Sequence, residues 1–167
     1  KQKTPVLLRL IQERQDKSGI VYCATRSAVE RLCKNLCAKG IAATRYHAGL
    51  DEEERRQNQD DFQFDRKTVM VATNAFGMGI DKSNVGFVIH YHMPKSLEAY
   101  YQEAGRAGRD GEPADCILLY SNVILFAQLM QPFALTIIVL HSDCNLFFVF
   151  GVLSPLFTTF QRRFCAY

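Results

Sequence analysis

The sequence predicts an α/β domain on a mainly parallel sheet, and two observations lead there. Short runs rich in β-branched and aromatic residues occur at 20–23, 41–46, 68–72, 86–91 and 115–120, and segments with apolar residues at helical spacing lie between them. Strands that alternate with helices close into a parallel sheet through right-handed crossovers. The chain of 167 residues is one domain of ordinary size, or one domain with an appendage.

Taken in order, residues Thr4 to Arg14 place Val6, Leu7, Leu10 and Ile11 on one helical face, with Pro5 suited to a first turn. Ser18 and Gly19 break that pattern before the strand-like Ile20-Val21-Tyr22-Cys23. Val29, Leu32, Cys33, Leu36 and Cys37 predict the next helix, with Ser27 and Glu30 spelling a capping box and Gly40 as the stop. The strand from Ile41 to Tyr46 ends in His47-Ala48-Gly49. Asp51 reads as an N-cap, and the helix dipole favours Glu52, Glu53 and Glu54 in its first turn; no apolar strand precedes them as a magnesium-binding element requires. That helix has Phe62 and Phe64 as almost its only apolar residues, and Asn58 stands where an aliphatic residue is expected one turn before Phe62.

TVMVA at 68–72 is a buried strand that delivers Thr73 at its carboxyl end, the edge where open parallel sheets collect ligands. In GFVIHY at 86–91 and beyond, His90 and His92 are expected on one strand face, and two residues apart with no third donor they make a poor zinc site. Pro94 marks a loop, a helix starts at Ser96, and Asp115 to Tyr120 is the last strand. The net charge of +3 is too small to announce a nucleic-acid partner, so any such contact must come from a local cluster. The six cysteines show no C-x-x-C and no paired framework, which fits a reducing compartment. With no secretory h-region at the start, a cytoplasmic or nuclear address is expected, not secretion.

Chemistry concentrates in Gln102 to Gly111, QEAGRAGRDG. Arg106 and Arg109 follow the helical pattern Leu97, Tyr100, Tyr101, Ala104, and three residues apart they are expected on one helical face. Gly105 and Gly108 keep the backbone bare beside them, so a polyphosphate can come close enough for the guanidinium fork to grip its oxygens. Two cations aimed at one point suit phosphoryl transfer, although Gly-Arg pairs also occur in ordinary surface turns. Ala24-Thr25-Arg26-Ser27, where a strand runs into a helix, gathers backbone N–H groups, hydroxyls and a guanidinium suited to a nucleic-acid phosphate. A plain helix cap accounts for Ser27 and leaves Thr25 and Arg26 without a role.

QEAGRAGRDG, together with ATNAFGMGID at 72–81 and GIVYCATRSAVERL at 19–32, resembles motifs VI, V and IV of the RecQ family of superfamily 2 DNA helicases, in that family's order, over roughly Thr4 to Ser121. The resemblance implies a RecA-like three-layer domain over residues 1–121 and a division of roles. Arg109 would be the arginine finger on the γ-phosphate, with Arg106 and Gln102 orienting it and sensing the nucleotide. Gly79 and Asp81, in the loop that also holds Gly77, would face the nucleotide at a domain seam, and Thr25, Arg26, Ser27, His47, Gly49 and Thr73 would lie on the nucleic-acid track. ATP hydrolysis in this class needs a G-x-x-x-x-G-K-[ST] loop and an acidic magnesium-binding motif, and neither occurs here. The chain, which begins at Lys1, is therefore expected to be an excised piece. It would be the second of two RecA-like halves, inactive alone, closing on a first half that holds ATP and Mg²⁺ and ratcheting 3′ to 5′ along single-stranded DNA to unwind duplex DNA.

Residues 122–167 change character: only Asp143, Arg162 and Arg163 are charged beyond Asn122, in a chain with 20 basic and 17 acidic residues. Val123 to Leu140 is interrupted by Gln128, Gln131 and Pro132, and Leu146 to Phe160 by Gly151, Ser154 and Pro155. A membrane span needs about 20 mostly apolar residues, so the first stretch is borderline, the second is too short, and a membrane partner is not expected. The family resembled usually continues with a helical hairpin and a zinc-binding cysteine cluster. With only Cys144 and Cys165 here no metal site is expected, and the segment reads as an alternative or aberrant C-terminus, or as a divergent apolar appendage packed on the domain or on a partner. Two other functions stand beside the helicase half. One is a non-catalytic nucleic-acid-binding or regulatory isoform without the ATP-binding half; the other is an RNA helicase fragment, disfavoured because the arginine motif of those families opens with histidine where this chain has Gln102.

Overall fold

The computed structural model describes residues 3–73 and 82–120, together with three later strands at 136–142, 145–151 and 163–166. In chain order the elements are α1 (Lys3–Gln12), β1 (Ser18–Tyr22), α2 (Arg26–Ala38), β2 (Ala43–Tyr46), α3 (Glu52–Gln63), β3 (Val69–Ala72), β4 (Val85–His90), α4 (Leu97–Ala104) and β5 (Asp115–Tyr120). Each lies where the sequence places it and has the predicted type. The strands form one parallel sheet in the order β2-β3-β1-β4-β5.

Strand alternation divides the core into two layers, because successive side chains point to opposite faces. Ile20 and Tyr22 of β1 face the cluster that holds Phe62 of α3 and Tyr100 and Ala104 of α4. Val21 and Cys23 face the cluster built on Leu7, Leu10 and Ile11 of α1 and Val29, Leu32 and Leu36 of α2. The connection from β1 to β2 steps one way along the sheet with α2 on one face, and the return to β3 carries α3 on the other. Reversing direction and face together keeps every crossover the same hand. The three-layer α/β/α arrangement follows directly.

Two contacts show what fixes the register. A Cβ on Gly19 would fall 2.1 Å from the ring of Phe87, which is fully buried, so β1 carries glycine where β4 carries its largest side chain. Asp65, in the left-handed region at φ 56°, closes the turn after α3; its Oδ1 accepts from Ser18 Oγ at 2.6 Å and from the buried Lys82 Nζ at 2.8 Å. Hydrogen bonds from Lys82 and Ser18 hold the Asp65 carboxyl below its usual range. The thin docking expected for α3 is visible: Phe62 is its one buried residue, Asn58 Nδ2 is buried with no hydrogen-bond partner among the described residues, and Phe64 lies exposed beneath the Arg66 guanidinium.

Three local expectations are corrected. The N-cap of α2 is Thr25, extended at φ −134° and ψ 153°, whose Oγ1 accepts from Ala28 N–H; Ser27 already lies inside the helix, and Glu30 is drawn away to other partners. Strand β4 ends at His90, so His92 belongs to the following loop and the two histidines do not share a strand face. Helix α4 ends at Ala104, so Arg106 and Arg109 stand in the turns beyond it, where Gly108 at φ 67° and Gly111 at φ 85° take left-handed conformations suited to glycine. Beyond residue 121, β8 (Arg163–Ala166) pairs parallel with β5, while β6 (Thr136–Ser142) and β7 (Asn145–Gly151) form a separate antiparallel pair. Among the described residues no helix is long and apolar enough to cross a membrane.

Candidate nucleotide and nucleic-acid sites

In a parallel sheet all strands end on the same edge, so the segments after β1, β2 and β3, which are neighbours, meet there. Backbone bonds stitch that edge: Cys23 N–H donates to Ala72 O at 2.8 Å and Thr73 N–H to Tyr46 O at 3.1 Å. Thr25 and Arg26 after β1, His47 and Gly49 after β2, and Thr73 after β3 are thereby brought together. Thr25, Arg26, Ser27 and Gly49 are exposed, whereas His47 and Thr73 are buried.

A polar network holds the corner. Gly49 N–H donates to His47 Nδ1 at 3.1 Å, and His47 Nε2 lies 2.8 Å from Glu30 Oε1. Arg45 Nε sits 2.9 Å from the same oxygen, in ion-pair range though outside hydrogen-bond alignment, and the Arg45 Nη2 donates to Glu54 Oε1. Arg26 lies along Gly49: a Cβ there would come within 3.1 Å of both Arg26 Cδ and Nη1.

The strand order reverses between β1 and β4, and a small crevice opens at their carboxyl ends between Ala24, His92, Pro94 and Lys95. Ala24 N–H donates to His92 Nδ1 at 3.3 Å. Burial raises the Cys23 thiol to about 12, so it stays protonated and is no nucleophile.

The arginines occupy a different place. Helix α4 runs back across the sheet, and Gly108 N–H donates to the carbonyl of Val85, the first residue of β4, at 2.9 Å. The turn's backbone is thereby anchored at the amino end of β4, while its side chains reach toward Tyr22 at the carboxyl end of β1. Arg106, half-buried, reaches to hydrogen-bond with Tyr22; burial raises that hydroxyl's pKa far above the ordinary phenol range, against the pull of Arg106 and, more weakly, Arg109. Arg109 is exposed; its Nε donates to Gly105 O at 3.2 Å, and among the described residues it enters no ion pair. Gln102, also exposed, donates to Glu98 one turn earlier. Gly77, Gly79 and Asp81 lie outside the described residues.

Beneath the turn sits a pair that sequence reasoning missed. His90, fully buried at the end of β4, places Nε2 2.9 Å from Glu103 Oε2 without hydrogen-bond alignment, and its Nδ1 has no partner among the described residues. Its ring lies between Tyr22, with centroids 5.6 Å apart, and Tyr100, 5.0 Å apart. The available signal was a carboxylate beside the arginine motif on the helix face that packs inward. Glu30 was likewise read as half of a capping box, when its partner is 17 residues away. Among the described residues no cluster of three or more His, Cys, Asp or Glu is placed to hold a metal ion.

The helicase conserved C-terminal domain family matches residues 2–111. An ATP-dependent DNA helicase RecQ of Pasteurella multocida is 54% identical over 114 residues, covering 68% of this chain and 18% of that protein, and the RecQ of Bacillus subtilis is 51% identical over 118 residues, covering 71% and 20%. The chain thus spans about a fifth of the length of these relatives. Among solved structures, S. cerevisiae Dbp5 bound to RNA and ADP BeF3 superposes with a TM-score of 0.71 at 26% identity, covering 79% of this chain and 36% of that one. E. coli DEAD-box protein SrmB bound to regulator of ribonuclease activity A superposes at 0.70 and 25% identity, covering 78% of both chains. The chain belongs to the helicase conserved C-terminal domain family, and across that domain it is about half identical to RecQ ATP-dependent DNA helicases.

Proposed function

We propose that this chain is the second motor half of a RecQ-like ATP-dependent DNA helicase that moves 3′ to 5′, and that residues 1–121 are the motor domain. A first RecA-like domain would hold ATP and Mg²⁺. Arg109, with Arg106 and Gln102 beside it, would reach across the seam to the γ-phosphate, and Gly79 and Asp81 would face the same nucleotide. Thr25, Arg26, Ser27, Gly49 and Thr73, at the carboxyl edge, would carry one strand of DNA, with His47 behind them. Such work places the protein with the chromosome, in the cytoplasm of a prokaryote or the nucleus of a eukaryote. Residues 122–167 would be an appendage outside the motor domain.

The observation that carries the reading is Arg109: an exposed guanidinium, outside any ion pair among the described residues, on a turn tethered to the sheet. Bound ATP supplies a phosphoryl group whose transfer concentrates negative charge, and a fork of N–H donors fits that charge. The geometry therefore suits a residue that a neighbouring domain completes. DNA is favoured over RNA as the substrate because identity is 51–54% to the RecQ DNA helicases and 25–26% to the DEAD-box proteins.

The test is Arg109→Ala in the enzyme assembled with its ATP-binding half. DNA-stimulated ATP hydrolysis should fall roughly a thousandfold or more while single-strand affinity stays within about twofold. Unwinding at the wild-type rate refutes the assignment.

A further inference from the structure

We infer that His47 is a positioning residue: its imidazole, held by Glu30, builds the Gly49 turn against which Arg26 is laid, and so aims that guanidinium at a nucleic-acid phosphate. The inference rests on the reading of the carboxyl edge as part of the DNA track and assigns a job within it. It replaces direct contact by the ring, which the sequence suggests, with action through its neighbours.

The hydrogen bonds decide the chemistry of the ring. Nδ1 accepts from Gly49 N–H, so in the neutral imidazole the proton sits on Nε2, which donates to Glu30 Oε1. Both nitrogens are thereby used, and the residue is 5% exposed, so no donor is left to meet a phosphate. The charged groups around it are Glu30, which it binds, and Arg45, which shares that carboxylate and is tied in turn to Glu54. Three elements, α2, β2 and α3, are locked at this corner, and Arg26, exposed beside them, enters no ion pair among the described residues.

Glycine at position 49 completes the seat. A Cβ there would stand 3.1 Å from Arg26 Cδ and Nη1 and 3.2 Å from His47 Nδ1, closer than side chains ordinarily pack. The bare backbone lets Arg26 lie flat over the turn, and the bond from His47 keeps the turn in that shape. A long side chain ordered before binding loses less rotamer freedom when it meets a phosphate.

Two substitutions separate the ring's two bonds. His47→Asn keeps an acceptor near the position of Nδ1 and loses Nε2; His47→Gln keeps a donor toward Glu30 and loses the acceptor for Gly49. In the free protein, ¹⁵N NMR should show the Nε2–H tautomer for His47, and a dispersed Arg26 guanidinium resonance that moves to the free-arginine position in His47→Gln. In titrations of a thymidine oligonucleotide over a range of salt, Arg26→Ala should lower the slope of log affinity against log salt by about 0.7, the share of one phosphate on a single strand. His47→Gln should lower it equally and add nothing in the Arg26→Ala background, and His47→Asn should keep most of the slope. An Nδ1–H tautomer, an unmoved Arg26 resonance, or a wild-type slope in His47→Gln where Arg26→Ala loses it, overturns the inference alone. An unchanged slope in Arg26→Ala itself overturns the reading of the edge as DNA track, and the inference with it.

Discussion

The carboxyl edge of the sheet and the arginine turn on α4 are both cationic, yet they separate anchor from working charge differently. At the edge, the anchor of Glu30, Arg45 and Glu54 around the buried His47 is partly open to solvent; the Glu30 and Arg45 side chains are 44% and 37% exposed. At the turn, the anchor is the His90–Glu103 pair, sealed between Tyr22 and Tyr100 in the core. Arg26 at the edge is seated on a shaped backbone, whereas Arg109 stands on a short glycine-bounded turn and, among the described residues, bonds only the Gly105 carbonyl. A surface that binds a flexible strand gains from a preset cation. A finger whose target arrives with another domain needs a rigid base and a free tip.

The largest expected effect sharpens that contrast at the tip. Arg109→Lys in the assembled enzyme keeps the charge but loses the planar fork, and turnover should fall roughly a thousandfold, close to the alanine variant. Near-wild-type turnover with lysine would mean that a point charge suffices, and the turn would then need no more order than the edge.

Next in size is the difference between the anchors. Glu103→Ala leaves the buried His90 ring without its neighbouring carboxylate and should lower unfolding free energy by about 1–3 kcal/mol, the usual effect of stranding a buried polar group. Glu30→Ala, at a half-exposed site screened by water, should lower it by about 1 kcal/mol or less. Denaturant titrations of both variants decide the matter. Equal losses would erase the distinction between the two anchors.

Much of this was legible from local pattern, and the remainder turns on pairs distant in sequence. The runs at 20–23, 68–72 and 86–91 are apolar because both faces of a parallel sheet are covered, and parallel strand ends necessarily share an edge. The spelling Ser27-x-x-Glu30 looked like a capping box, but the chain leaves extended geometry at Thr25, and His47 and Arg45 claim Glu30 from β2 and its following loop. Glu103 was hidden for the same reason, since its partner His90 is placed by the β4–α4 packing and not by spacing. The expected helical face for Arg106 and Arg109 failed because the glycines read there as bare backbone for phosphate also end the helix. The strand at 163–166 had no alternating pattern of its own, so only its pairing with β5 reveals it.

The smallest effect concerns pH, and it separates the two sites again. Burial first, then the charges of Lys3 and Arg31, hold the His92 imidazole below its ordinary 6.5. In the neutral ring Nδ1 accepts from Ala24 N–H beside the Thr25 cap, and a proton on that nitrogen would remove the acceptor. The folded pKa is depressed, so as pH falls the unfolded chain takes up this proton first. The contribution of His92 to stability is therefore complete above 6.5 and is lost as pH falls through the lower folded value. His92→Gln keeps an acceptor and cannot titrate, so the stability difference between wild type and variant should shift in the variant's favour as pH drops below that point. Parallel stability curves for the two proteins would show that protonation does not loosen the start of α2, and that the edge, open as it is, holds its shape as firmly as the base of the arginine turn.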